Sequence, residues 1–298
     1  MADTVLRAVR PRTPWAHRAL VAPSVLAVLV LGAYPLAFLL AAAASRSSLG
    51  APFQEWVGGE NLAAVLADDD VVASVLRTAG YALGVSAASL VLGVASALAL
   101  HRSTVAGSVV RTVLLLPLVL PPVVVGTLFK ILLNPGGGLL ATALAELGTP
   151  DPAPLSSTTW ALTAIALADV WEWTPLVTLL VYAALLSQDE QVREAAQLDG
   201  AHGWRLFRSV TLPGIAGVVA GAFLIRLVIA LKAFDLVFMM TSGGPGQAST
   251  LTSYLVWQVA LKEFDVGRAA AITLLLAALV TALTVPVTVL TRKVQRHD

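Results

Sequence analysis

Cysteine is absent from the 298-residue chain, which excludes disulfides, thiolate nucleophiles and cysteine metal sites. Histidine is scarce: the four lie far apart at 17, 101, 202 and 297, so no zinc cluster is expected. Charged residues make up only 12% of the chain, about half the share of an ordinary soluble domain, whereas 57% of residues are hydrophobic. A bilayer is the natural solvent for such a composition. The net charge of +1 comes from basic residues scattered near the ends of apolar segments, which argues against a nucleic-acid partner. No GxxxxGK[ST] phosphate loop, GxSxG elbow or HExxH helix occurs, and the possible bases His101 and His202 fall in loops. An enzyme is therefore not expected.

Long apolar runs are what the chain has in abundance. They lie at about Ala19–Ala44, Ser74–Leu100, Val109–Leu133, Thr158–Leu186, Gly214–Thr241 and Arg268–Thr291. In lipid each must satisfy its own backbone, so each is expected to be a helix, giving an all-α polytopic membrane protein with six transmembrane helices. The first run exceeds the roughly 7–15 residues of a signal h-region and is long enough to cross a ~30 Å hydrocarbon core, so it reads as a retained anchor. One set of loops carries Arg7, Arg10, Arg12 and Arg18, then Arg102 and Arg111, then Arg193, Arg205 and Arg208, then Arg292, Lys293 and Arg296. The opposite set carries Glu55, Glu60 and Asp68–Asp70, then Glu146 and Asp151, then Lys262, Glu263 and Asp265. The positive-inside rule then puts both termini in the cytoplasm, together with the loop between the fourth and fifth spans. The expected organisation is a cytoplasmic segment at 1–18, a six-helix domain at 19–291 and a cytoplasmic tail at 292–298.

Gly136–Gly138, Pro150–Pro154 and Ser242–Gly246 read as external turns, where Gly and Pro punctuate the chain. The longest external stretch, about Ser45–Ala73, has room for an interfacial helix near Asn61–Leu66 and little more. Pro117, Pro121 and Pro122 are expected to kink the third span.

The loop 187–215 reads SQDEQVREAAQLDGAHGWRLFRSVTLPGI. Ser187 and Glu190 have capping-box spacing, which would start a helix running to about Asp199. Gly200 sits where a left-handed residue closes a helix. Trp204 and Phe207, three apart, share one side of a second helical turn, with Arg205 and Arg208 also three apart. Pro213 suits the first turn of the fifth span. The small Ala195 and Ala196 would let another protein approach the helix backbone, with Arg193 and Glu194 as charged rim. An amphipathic loop helix lying on the membrane face is the alternative.

The pattern Glu194-Ala195-Ala196, three residues, Gly200, nine residues, Val210-x-Leu212-Pro213 resembles the cytoplasmic EAA signature of ABC importer permeases, with Val where Ile is frequent. The resemblance extends over nearly the whole chain and narrows to the maltose-type carbohydrate permeases. Val57-Gly58-Gly59-Glu60-Asn61-Leu62 resembles that family's Val-Gly-Leu-Glu-Asn-Tyr element, departing at Gly59 and Leu62. Thr241-Ser242-Gly243-Gly244-Pro245 resembles its Thr-Gly-Gly-Gly-Pro turn, and Phe264 through Ala271 its Phe-x-x-Gly-x-x-x-Ala entry to the last span. The resemblance implies a type I importer permease fold, a second homologous permease around a shared path, a pair of cytoplasmic ATPases and an external binding protein that delivers sugar. It implies coupling through Glu194, Ala195, Ala196, Asp199, Gly200, Leu212 and Pro213. ATP and Mg would be held by the partner ATPase, and this chain would bind no cofactor and no metal. The large external insertion of the founding maltose permease is missing here.

Charged residues inside spans are functional candidates by default. Asp169 and Glu172 lie three apart, within Asp169-Val-Trp171-Glu172-Trp173-Thr-Pro175, and the fifth span carries Arg226, Lys232 and Asp235. Carboxylates that accept from hydroxyls, beside aromatic faces that stack on a sugar ring, make Asp169, Trp171, Glu172, Trp173, Arg226, Lys232 and Asp235 candidates for the substrate path. The alternative is structural: Lys232 pairing with Asp235, Arg226 pairing with Glu172, and the tryptophans packing or lying at the interface. A polyol phosphate such as glycerol phosphate is the second substrate choice, since Arg226 could meet an anion. An ion-coupled secondary transporter is the alternative of another class. It predicts inverted repeats, which the sequence does not display.

Overall fold

The computed structural model describes residues 14–102, 107–148 and 153–294. Helix α1 (Pro14–Ala43) leads into a hairpin of β1 (Ser45–Ser48) and β2 (Ala51–Trp56), then α2 (Glu60–Leu66) and the long α3 (Asp69–Arg102). Helices α4 (Gly107–Val119), α5 (Pro122–Leu132) and α6 (Leu139–Glu146) follow, then α7 (Ala161–Leu186). After the loop come α10 (Leu212–Leu231), α11 (Asp235–Met240), α12 (Thr252–Leu261) and α13 (Val266–Val294), with α8 (Glu190–Leu198) and α9 (Gly203–Leu206) inside the loop. Among the described residues five helices are long and apolar enough to cross a membrane, and the bent α4–α5 pair makes six if it counts as one span. Side chains at Arg7, Arg10, Arg12, Arg18, Arg102, Arg111, Asp151, Arg292, Lys293 and Arg296 lie outside the described residues, as do residues 150–152 of the Pro-rich turn.

The third expected span is two helices whose axes differ by 104°. Pro121 is extended, with ψ 142°, because Pro122 disfavours helical backbone in the residue before it, and Pro122 then opens α5. The fifth span also differs from expectation, ending at Leu231 instead of reaching Thr241. No Gly or Pro marks that break. Phe234, Phe238, Tyr254 and Trp257 gather there with every ring centroid within 6.5 Å of the others, a cluster that a straight helix would have to give up. The hairpin, α6 and α12 were not expected from the sequence, whereas α2 was.

Two of the family-like motifs prove to be one structural unit. Asn61 Nδ2 donates to the carbonyls of Ala43 at 3.0 Å and Ser45 at 2.9 Å, closing the end of α1. Gly267 packs on the same carbonyl: a Cβ there would lie 2.5 Å from the Ser45 oxygen. The Thr241–Pro245 turn is held by Thr241 Oγ1 and Ser249 Oγ at 2.8 Å and by Thr250 Oγ1 donating to Gly243 O at 3.0 Å. Arg77 Nη1 donates to Thr250 O at 2.6 Å and ties this turn to α3.

The centre of the bundle is the junction of α3, α7 and α10. α3 and α7 approach closely at Gly93, where a Cβ would fall 2.6 Å from Val177 Cβ. Gly93→Leu is therefore expected to wedge the two helices apart, at about 1–3 kcal/mol for overpacking. Thermal unfolding in detergent measures it; a melting temperature equal to the parent's would contradict the close packing.

Candidate coupling loop and buried charge cluster

Ser187 does not start α8. Its hydroxyl donates back to Ala184 O at 2.8 Å and finishes α7, while Asp189 caps α8 by accepting from Gln191 N at 2.9 Å. Asp189 is the residue with extended backbone at that point, ψ 118°, which is the conformation an N-cap needs. Glu190 is thereby free to pair with Arg193 on the surface. The hydrogen bond from Arg193 holds the Glu190 carboxyl below its ordinary value, and Arg193 is raised in turn.

The end of α8 is as expected. Gly200, at φ +83°, lets its own N–H reach Gln197 O at 3.0 Å and the Ala201 N–H reach Ala196 O at 2.9 Å, a Schellman closure. Nothing on α8 is buried: Glu194 and Ala195 are exposed, Ala196 is half-buried, and Leu198 is 90% exposed. Trp204 stands 72% exposed with Phe207 beside it at 5.2 Å between ring centroids.

Pro213 stands in the first turn of α10, as expected, but α9 and α10 run on as one rod from Gly203 to Leu231. A proline inside a helix lacks a donor and crowds the carbonyl four residues back. A π-helical turn at Phe207–Thr211 precedes it and widens the rod there. Gln188 Nε2 donates to Thr211 O at 3.1 Å, so the entry and exit of the loop are tied together.

The rod carries Arg226 into the bundle centre, where it is fully buried. Its Nη2 donates to Asp169 Oδ2 on α7 at 2.8 Å and its Nε to Ser89 Oγ on α3 at 3.2 Å. Tyr81 OH donates to the same Asp169 oxygen at 2.8 Å. Glu172 is 2% exposed, yet its Oε2 has no partner, and neither have Arg226 Nη1 and Ser86 Oγ. Arg226 thus pairs with Asp169, not with Glu172 as the structural alternative had it. The other ion pair of that alternative is not formed either: among the described residues none joins Lys232 to Asp235, since the helix ends between them.

Of the seven path candidates, Asp169, Glu172 and Arg226 come together. Trp171 points away, 39% exposed and edge-on to Phe129 at 5.6 Å, and Trp173 is half-buried. Lys232 is exposed at the break and Asp235 half-buried, within electrostatic range of Glu172. Sequence reasoning missed Tyr81, Ser86 and Ser89. Their only local signal is Ser86 and Ser89 three apart in the otherwise apolar stretch 82–95 of α3.

Residues 89–296 match the family described as binding-protein-dependent transport system inner membrane component. The trehalose/maltose transport system permease protein MalF of Thermococcus litoralis is 32% identical over 78% of this chain and 79% of its own. The sn-glycerol-3-phosphate transport system permease protein UgpA of Escherichia coli O157:H7 is 31% identical over 92% of this chain and 93% of its own. Among solved structures, a chain of a bacterial ABC transporter that imports the acidic polysaccharide alginate superposes with a TM-score of 0.77, covering 94% of this chain and 96% of that one at 21% identity. This chain belongs to the binding-protein-dependent transport system inner membrane component family: it is a multi-pass permease subunit of an ABC importer.

Proposed function

We propose that the chain forms half of the translocation path for a sugar or oligosaccharide in the cytoplasmic membrane, and that the loop 187–213 docks on a separate ATPase. The observation that carries this reading is α8: a capped, Schellman-closed helix with no side chain buried in its own protein, joined through Gly200 to a rod that ends in the bundle centre. Such a helix presents Glu194, Ala195 and Ala196 to a partner and passes its displacement through Leu212 and Pro213. Asp199 is the C-cap through which α8 hands over to Gly200. Both termini and this loop are assigned to the cytoplasm, the residues at 1–18 and 292–298 flanking the membrane domain. A second, homologous permease, two ATP-binding subunits that hold ATP and Mg, and an extracytoplasmic binding protein complete the assembly.

The path runs past the break at Lys232–Phe234, where Lys232 and Asp235 approach solvent and Trp173 flanks Glu172, while the buried Asp169–Arg226 pair braces the helices behind it. The likeness to a trehalose/maltose permease supports a sugar. Likeness to a glycerol-phosphate permease keeps the polyol phosphate as a second reading, but Arg226, the residue suited to an anion, spends its charge on Asp169. The test is uptake of labelled sugar into proteoliposomes holding the whole complex, with the binding protein outside. Uptake is expected only with ATP enclosed; uptake driven by an ion gradient without ATP overturns the reading.

A further inference from the structure

Three polar atoms from three different helices are buried without a partner at one junction: Arg226 Nη1 on α10, Glu172 Oε2 on α7 and Ser86 Oγ on α3. Leaving buried polar atoms unpaired is costly, most of all for charged groups, and a native protein rarely does so without a use for it. The arginine and the glutamate among them sit on helices already joined by the Arg226–Asp169 pair. Asp169 and Glu172 are three residues apart on α7, so they offer the guanidinium two carboxylates about 4.5 Å apart along the axis at 1.5 Å per residue. Arg226 occupies one of them.

The same arginine lies on the rod that begins in the docking loop. From Thr211 to Arg226 the rod is about 22 Å of helix at 1.5 Å per residue, with the π-helical turn at its loop end. A displacement of the loop therefore moves Arg226 along α7. Packed helices do shift by up to one turn, about 5.4 Å, in switching proteins.

We propose that Glu172 is a positioning residue for transport: Arg226 is held by Asp169 in the conformation described here and passes to Glu172 when the loop is displaced, so that the two carboxylates define the two ends of the rod's travel. The inference rests on the docking reading of the loop. In the second state Asp169 keeps the Tyr81 hydroxyl as a donor.

The test uses the complete reconstituted importer. Glu172→Gln removes a buried unpaired carboxyl while keeping its shape, so this variant is expected to assemble normally and to melt at or above the parent's temperature. Its maximal uptake rate is nonetheless expected to fall about tenfold, within the ~5–150-fold range of coupling free energies. Glu172→Asp, which keeps the carboxylate, retains most of that rate. A residue that only packs would move stability and transport in the same direction. Structures of the nucleotide-free and vanadate-trapped complexes give the second readout: Arg226 within ion-pair distance of Asp169 in one and of Glu172 in the other is expected. Arg226 on Asp169 in both, or parent-like uptake by Glu172→Gln, overturns the exchange. Uptake by the unaltered complex without ATP overturns the docking reading instead, and the two failures are distinguishable.

Discussion

Arg226→Met is expected to lose most of its folded yield, while Asp169→Asn combined with Arg226→Met recovers a large part of it. Removing the arginine strands Asp169, 3% exposed, with one hydroxyl donor, and leaves Glu172 nearby with no cation between them. Breaking one side of a buried pair costs about 3–5 kcal/mol, whereas replacing both charges by neutral groups of similar shape is often close to neutral. Monodisperse yield after extraction, together with the melting temperature, is the measurement. A single variant that accumulates and melts like the parent would show that Asp169 does not depend on the pair.

Gly200→Val is expected to insert and fold normally yet lose ATP-driven uptake. Gly200 holds φ +83°, a region that costs an L-residue about 1–2 kcal/mol and a β-branched one more. Nothing lies within 4 Å of a Cβ added there, so the strain stays in the backbone of the loop and is relieved by unwinding the Schellman closure. The orientation of α8 relative to the rod changes while the bundle does not. One to two kcal/mol corresponds to about a 5–30-fold loss of the competent loop, and uptake should fall by that factor or more. Gly200→Asn, whose side chain tolerates left-handed backbone, should fall between the two. Parent-like uptake by Gly200→Val would contradict the docking role even if every other feature of the loop stood.

Features that depend on a few neighbouring residues were legible before any fold was known. The apolar lengths gave the spans, the prolines at 117, 121 and 122 gave a kink in the third, though Pro117 stays inside α4, and Gly200 gave the turn that closes α8. Each is a matter of local sterics or of one segment against lipid, which the chain carries with it wherever it folds. The cap at Asp189 was misplaced by two residues because Ser187 and Asp189 are both competent caps. The choice between them depends on where α7 stops.

The remainder came from contacts between residues far apart in the chain. The break at Lys232–Phe234 has no local breaker; four aromatic rings from α11, α12 and the break itself pack there, and that packing outweighs the continuity of an apolar helix. Asn61 and Gly267 look like two separate motifs until one carbonyl, that of Ser45, is found between them. Helical spacing puts Asp169 and Glu172 on one face of α7 and leaves them equivalent as partners for Arg226. The depth at which α10 lies against α7, set by the packing of the whole bundle, gave the arginine to Asp169 and left Glu172 unpaired.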